Sequence, residues 1–167
     1  QVLHQLSHAV TAPIIDAQRA IRLVRSRAGE WHVDPQRIGI WGFSAGGHLA
    51  STAATHFDKG NGQSDDAIDR VSCRPDFAIL IYPGGLVDGQ NPANLAPEMR
   101  LSARTPPTFV AVAADDRGTV DGSIRYFQAL KAAGIPGELH VYAGGGHGFG
   151  IRPSAGAAAT WPARAVD

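Results

Sequence analysis

The sequence predicts an α/β protein in three layers, with a mostly parallel sheet covered on both faces by helices. Three observations carry that prediction. The runs Phe77–Tyr82 and Phe109–Ala114 are continuously apolar, as strands buried on both faces must be. Segments with apolar residues at helical spacing alternate with those runs, the order that winds a parallel sheet. Between Arg37 and Ala50 a short apolar strand passes through a glycine-flanked serine directly into a helix of small residues. With 167 residues, 44% of them hydrophobic, the chain has material for one core, and residues 1–167 are expected to form a single domain.

Residues 1–12 show no clear period and are expected to be irregular or locally helical. His4 and His8 stand four apart, a spacing that can hold a metal on a helix, but no carboxylate or third ligand accompanies them, and they read as solvated surface. From Pro13, the residues Ile14, Ile15, Ala17, Ala20, Ile21, Val24 and Ala28 recur at helical spacing, with Pro13 in the first turn and Gly29 as the stop. Arg19, Arg22, Arg25 and Arg27 between them read as a solvated face rather than an anion site. Asp34-Pro35 turns the chain into a strand carrying Ile38 and Ile40, and the helix beyond the serine runs to about Phe57. Asp58–Asp69 is a polar surface loop in which Asp65, Asp66 and Asp69 lack the spacing of a cation site and read as hydrated.

Beyond Tyr82, Pro83–Pro107 is a Pro- and Asn-rich excursion that is expected to line the pocket. A helix over about 121–133 turns Ile124, Phe127, Leu130 and Ala133 inward and closes at Gly134. Glu138–Tyr142 alternates as a strand nearer the sheet edge does, and Thr160–Arg164 looks like the start of a closing helix.

Composition narrows the chemistry. Fifteen basic residues offset fifteen acidic ones, so no net field draws nucleic acid or an anionic membrane, and a neutral substrate is expected. No run of eighteen apolar residues and no basic-then-apolar leader is present, which predicts a soluble chain and leaves its compartment open, secreted and periplasmic settings included. Cys73 is the sole cysteine, so no intramolecular disulfide forms, and it reads as a small, partly buried thiol rather than a nucleophile.

Gly42-Phe43-Ser44-Ala45-Gly46 is G-x-S-x-G between strand and helix, the nucleophile elbow, in which a strained backbone exposes a serine hydroxyl above the sheet. Gly42 and Gly46 are expected where a Cβ would collide as strand and helix cross. The Ala45 N–H at the helix start is the expected oxyanion donor. In parallel sheets, chemistry gathers beyond the carboxyl ends of the strands. Ser44 follows one strand, Asp115 and Asp116 follow another, and His147 follows the last, inside Gly144-Gly145-Gly146-His147-Gly148-Phe149-Gly150. The three sites fall on one rim in the chain order Ser, Asp, His, which is the α/β-hydrolase order.

Asp16–Ala20, Arg37–Ala50, Pro106–Phe109 with Asp115-Asp116, and Glu138–Val141 with Gly145–Gly150 together resemble the α/β-hydrolase esterases related to acetylxylan and feruloyl esterases. The similarity runs from about Pro13 to Trp161 and implies Ser44 as nucleophile, Asp116 as acid and His147 as base. Asp116 rather than Asp115 follows from its distance beyond Val112 in similar chains, and Asp115 stays open as the alternative. Members of that family begin with further strands and a His-Gly-Gly loop that supplies oxyanion donors, a pattern not found ahead of Pro13. The chain is therefore expected to be a catalytic domain shortened at the N-terminus and slightly at the C-terminus, an α/β-hydrolase fold in part. Its first strand would be a sheet edge that a second copy or another segment covers.

The expected activity is serine-dependent hydrolysis of short-chain carboxylic esters, with acetyl esters of carbohydrates implied by the resemblance, and no metal or organic cofactor is called for. A prolyl-oligopeptidase-like peptidase and a non-catalytic remnant acting as an interaction module are the alternatives.

Overall fold

The computed structural model describes residues 8–166, with side chains from residue 12 onward. His4, and the side chain of His8, lie outside what is described. The elements, in chain order, are α1 (His8–Ser26), β1 (Ile40–Phe43), α2 (Ala45–Thr55), β2 (Ala78–Ile81), β3 (Thr108–Ala113), α3 (Val120–Ala132), β4 (Gly137–Tyr142) and α4 (Trp161–Ala165), with short 3-10 segments at Ala67–Arg70 and Pro153–Thr160. The four strands form one sheet in the order β1-β2-β3-β4, and every pairing is parallel. β3, between β2 and β4, is buried at all six positions, whereas β4 at the edge is exposed or half-exposed throughout. β1 is the other edge, as expected.

Helices flank the sheet on both faces, as expected, but they are not shared evenly between the faces. Ala50 and Ala54 of α2 and Tyr126 and Leu130 of α3 join Ala78, Leu80 and Val110 in one core cluster, so both helices lie on the same face of the sheet. Strands that follow one another across the sheet without reversal, joined by right-handed crossovers, must place every crossover on one side. The opposite face is covered by Phe149, Ala158 and Trp161, packed on Ile81, Phe109, Ala111 and Ala113. Trp41 of β1 also points to that side, its ring 5.3 Å from that of Trp161, and is 56% exposed.

Several local expectations are corrected. Pro13 lies inside α1, which begins at His8. Its missing N–H would bond back only to residue 9, within the first turns, so the helix loses one bond near a free end. The buried face of α3 is Ser123, Tyr126 and Leu130 rather than one centred on Ile124 and Phe127. Burying Ser123 is tolerated because its hydroxyl donates to the Thr119 carbonyl at 2.8 Å. Tyr126 is fully buried, its hydroxyl without a hydrogen-bond partner among the described residues, and burial drives its phenol pKa up.

The arginines of α1 are not a solvated face. Arg19 binds Asp66 and Asp69 at 2.5 and 2.6 Å, Arg22 binds Asp58 at 2.6 Å, and Arg25 binds Asp76 at 2.7 Å, while Arg22 and Arg25 also donate to the carbonyls of Val71 and Ser72. These contacts clamp the long 58–76 connection onto α1, and Asp66 and Asp69 are accordingly ion-paired rather than simply hydrated. Cys73 is fully buried beneath the clamp, and burial pushes its thiol pKa up, in keeping with an inert role.

The excursion between β2 and β3 takes the place of a crossover helix. Leu86, Ala96 and Met99 enter the core cluster with α2 and α3. A single antiparallel bridge, Val87 with Leu95, closes its tip among the described residues.

Candidate active site

The elbow is built from close approach. A Cβ on Gly42 would stand 2.0 Å from the Gly46 carbonyl oxygen, so only glycine lets β1 turn into α2 here. Gly46 itself has open space around its missing Cβ, contrary to expectation, and Gly47 has the crowded position instead, with Pro83 Cβ 2.8 Å from where its own Cβ would be. Ser44 holds φ 53 and ψ −119 at the helix N-cap. Its N–H donates to Ile81 O at 3.0 Å, and its carbonyl accepts from His48 N–H at 3.1 Å and Gly84 N–H at 3.0 Å, so the strained residue is tied to β2 and to its own helix. A serine at an N-cap ordinarily accepts from the helix N–H groups, but Ser44 makes no such cap bond.

Its hydroxyl turns instead to the imidazole. Ser44 Oγ lies 2.7 Å from His147 Nε2, and His147 Nδ1 lies 2.7 Å from Asp116 Oδ2. A carboxylate only accepts, so Nδ1 carries the ring proton and Nε2 is left as acceptor for the serine O–H. Asp116 is 7% exposed, and the same Oδ2 accepts from Thr119 Oγ1 at 2.5 Å. The Asp116 carbonyl also accepts from the N–H groups of Thr119 and Val120, both at 3.1 Å, so the carboxylate is mounted on the turn that opens α3. Thr119 escaped the sequence reading. The available signal was a hydroxyl residue at the start of a helix, three places after an acidic one, whose hydroxyl goes to the carboxylate rather than to the helix end.

Asp115 faces elsewhere. Its Oδ1 accepts from Gly146 N–H at 2.9 Å and its Oδ2 from Gly145 N–H at 3.4 Å. Of the two aspartates left open in the sequence, Asp116 bonds the imidazole, and Asp115 bonds the backbone of the loop that carries it. Ala45 and Gly46 are exposed at the start of α2, where N–H groups have no acceptor one turn back in the helix. In the Gly84-Gly85 turn nearby, the Gly84 N–H is already engaged by the Ser44 carbonyl.

A hollow of about 330 Å³ lined by Phe77, Thr108, Pro136 and Glu138 lies at the amino ends of β2 to β4, the opposite end of the sheet from Ser44, and takes no part in this arrangement. Among the described residues, no three His, Cys, Asp or Glu side chains gather as a metal site requires.

A family model described as BD-FAE matches residues 3–79, the part of the chain that includes α1 and the elbow. The crystal structure of an acetyl ester-xyloside bifunctional hydrolase from Caldicellulosiruptor lactoaceticus superposes with a TM-score of 0.85 at 38% identity, over 97% of this chain and 65% of that one. The chain has the α/β-hydrolase fold in part and is similar to ester hydrolases of that fold. An acetylxylan esterase from Xylanibacter ruminicola is 32% identical over 84% of this chain and 32% of its own length. A thermophilic esterase from Thermogutta terrifontis, solved with propionate bound, is similar at 29% identity and a TM-score of 0.71, over 92% of this chain and 63% of that one. The chain thus spans about a third of that acetylxylan esterase and about two thirds of the solved hydrolases.

Proposed function

We propose that this chain carries the acyl-transfer machinery of a serine esterase acting on short-chain esters, with acetyl groups on xylan-type carbohydrate as the substrate class. The observation that supports it most is the continuous relay from Ser44 Oγ through His147 to Asp116, with both contacts at 2.7 Å. Ser44 Oγ bonds to the ester carbonyl carbon as its proton passes to His147 Nε2. Asp116 keeps the ring in the tautomer that can accept that proton and stabilises the imidazolium that results. The negative carbonyl oxygen is received by the Ala45 N–H and the positive end of α2. Collapse breaks the bond to the alcohol oxygen, which leaves with the proton from Nε2. Water then gives a proton to Nε2 and its oxygen to the acyl carbon, and release of the acid returns the proton to Ser44. The acetyl and carbohydrate parts of the reading rest on the names of the acetylxylan esterase and the acetyl ester-xyloside hydrolase.

The test pairs labelling with turnover. A fluorophosphonate should modify Ser44, as located by peptide mass spectrometry, and acetate should be released from an activated acetyl ester and from acetylated xylan. Labelling elsewhere, or turnover of a peptide anilide in place of acetyl esters, would overturn the proposal.

A further inference from the structure

β2 ends at Ile81, and the next residue, Tyr82, has φ 39. Among the described residues only His32, Ser44 and Tyr82 hold a positive φ without being glycine. His32 sits in an exposed turn and Ser44 is the elbow. A bulky aromatic in the left-handed region is a true outlier, and strain of this kind persists only where the surroundings over-determine it. The surroundings of Tyr82 do so. Its N–H donates to Ala111 O at 2.7 Å, while the flanking Ile81 carbonyl and Gly84 N–H both bond Ser44 at 3.0 Å.

The ring that this backbone aims is 6% exposed and touches three parts of the site. It meets His147 edge to face, with centroids 5.1 Å apart and planes at 63°, and Phe149 likewise at 4.7 Å and 78°. Phe43, the residue before the nucleophile, lies 5.8 Å away. His147 otherwise projects from a run of glycines, and its side chain is 48% exposed. Its two hydrogen bonds fix the ring nitrogens along a line but leave the ring free to swing about that line, and a packed wall on one side removes that freedom. Burial raises the Tyr82 phenol above its usual pKa, against smaller opposing effects of the Gly150 backbone and the Arg152 charge, so the hydroxyl is a neutral group and not a second acid.

We infer that Tyr82 is a positioning residue: the strained end of β2 holds its ring as the wall against which the His147 imidazole is set in line with the Ser44 hydroxyl. This rests on the serine esterase reading above. Misplacing a reacting group by about 1 Å can cost about 10²-fold, so Tyr82→Leu is expected to lower kcat by about 10- to 100-fold and to slow phosphonylation of Ser44 equally, with KM nearly unchanged. Tyr82→Phe, which keeps the wall, is expected to stay within about threefold of wild type, since aromatic edge-to-face packing does not need the hydroxyl.

The experiment measures kcat and KM for an activated acetyl ester, the phosphonylation rate and the thermal midpoint for both variants, with Ser44→Ala beside them. If Tyr82→Leu is too unstable at the assay temperature, Tyr82→Met, unbranched, longer and more adaptable, is read in its place. Wild-type kcat in the folded Leu or Met variant overturns the inference, and so does a rise in KM with kcat preserved, which would make Tyr82 a pocket wall for substrate. A Phe variant as slow as the Leu variant also overturns it. Turnover that survives Ser44→Ala would remove the esterase reading itself, and the two failures are thereby told apart.

Discussion

The segment around Ser44 and the segment around His147 bring their side chains to one 2.7 Å contact by opposite means. At the elbow, the placement is made by the backbone. One strained residue sits between a strand and a helix packed so closely that a methyl group at Gly42 has no room, and its N–H and carbonyl are both tied to neighbouring elements. At the base loop, the placement is made by side chains reaching in from outside. Gly145, Gly146, Gly148 and Gly150 all hold positive φ, and the loop is gathered by the Asp115 carboxylate on two N–H groups, by Arg152 on the Gly148 carbonyl at 2.5 Å, and by the Trp161 indole on the Gly150 carbonyl at 3.0 Å. On the proposed esterase reading, a nucleophile set in the sheet should fail all at once when altered, whereas a base held by tethers should fail by degrees.

The largest expected effect is at the elbow. Ser44→Ala keeps the Cβ and hence the backbone demands of the position, so the fold should survive while turnover falls by about 10⁶, to background, as removal of a triad serine does elsewhere. Steady-state rates with an acetyl ester and a thermal melt on the same sample check both halves. Next comes the link between the two segments. Asp116→Asn should lower kcat by about 10⁴, by analogy with the serine protease case, because an amide N–H₂ facing Nδ1 favours the tautomer in which Nε2 carries the proton and can no longer accept one from Ser44. A rate within tenfold of wild type would return the orienting role to another group.

The elbow glycines sharpen the contrast through stability. Gly42→Ala would drive a methyl into the Gly46 carbonyl, a backbone atom that cannot swing aside, and is expected to cost about 3 kcal/mol or more. Gly46→Ala meets nothing within 4 Å and lies in the first turn of α2, so it should be neutral or stabilising by up to about 1 kcal/mol. Denaturant midpoints for the pair decide it, and equal destabilisation would mean that the close approach at Gly42 is not what forms the turn.

How much of this was legible in the sequence follows the same division. The apolar runs mark where strands stop, and in a parallel sheet the residues just beyond those stops share a rim, so Ser44, the Asp115-Asp116 pair and His147 could be brought together from pattern alone. Which aspartate faces the imidazole could not, because one step along a turn redirects a side chain entirely and periodicity carries no information there. Tyr82 was missed because its role comes from what lies across the sheet, and Thr119, only three residues from Asp116, because a hydroxyl at a helix start reads first as a cap. The common face of α2 and α3 depends on whether the chain reverses direction across the sheet, and the alternation of helices and strands is silent on that. The arginines of α1 looked solvated because their partners at Asp58, Asp66, Asp69 and Asp76 are 36 to 51 residues away in sequence.

The smallest expected effect, and the one that most directly probes the tethered half, is at Asp115. Its carboxylate is exposed, so the two N–H bonds it accepts are worth less than the 1.5–3 kcal/mol, roughly, of a charge-assisted bond out of water, and about 1 kcal/mol is a fair figure once solvent competes for the same groups. That energy does not stabilise the core, because Asp115 touches none of it. What it holds is the fraction of time that Gly145 and Gly146 keep His147 within reach of Ser44. Asp115→Ala should therefore leave the thermal midpoint within a degree or so, about what a surface change produces, yet lower kcat by about fivefold, the factor that 1 kcal/mol represents. Asp115→Asn retains one acceptor oxygen and should fall between the two. Faster amide exchange at Gly145 and Gly146 in the Ala variant, with exchange at the elbow unchanged, is the accompanying signature. A fall in rate as deep as that of Asp116→Asn would show that Asp115 acts on the imidazole itself, and an unchanged rate would show that the remaining tethers, Arg152 and Trp161, hold the loop without it.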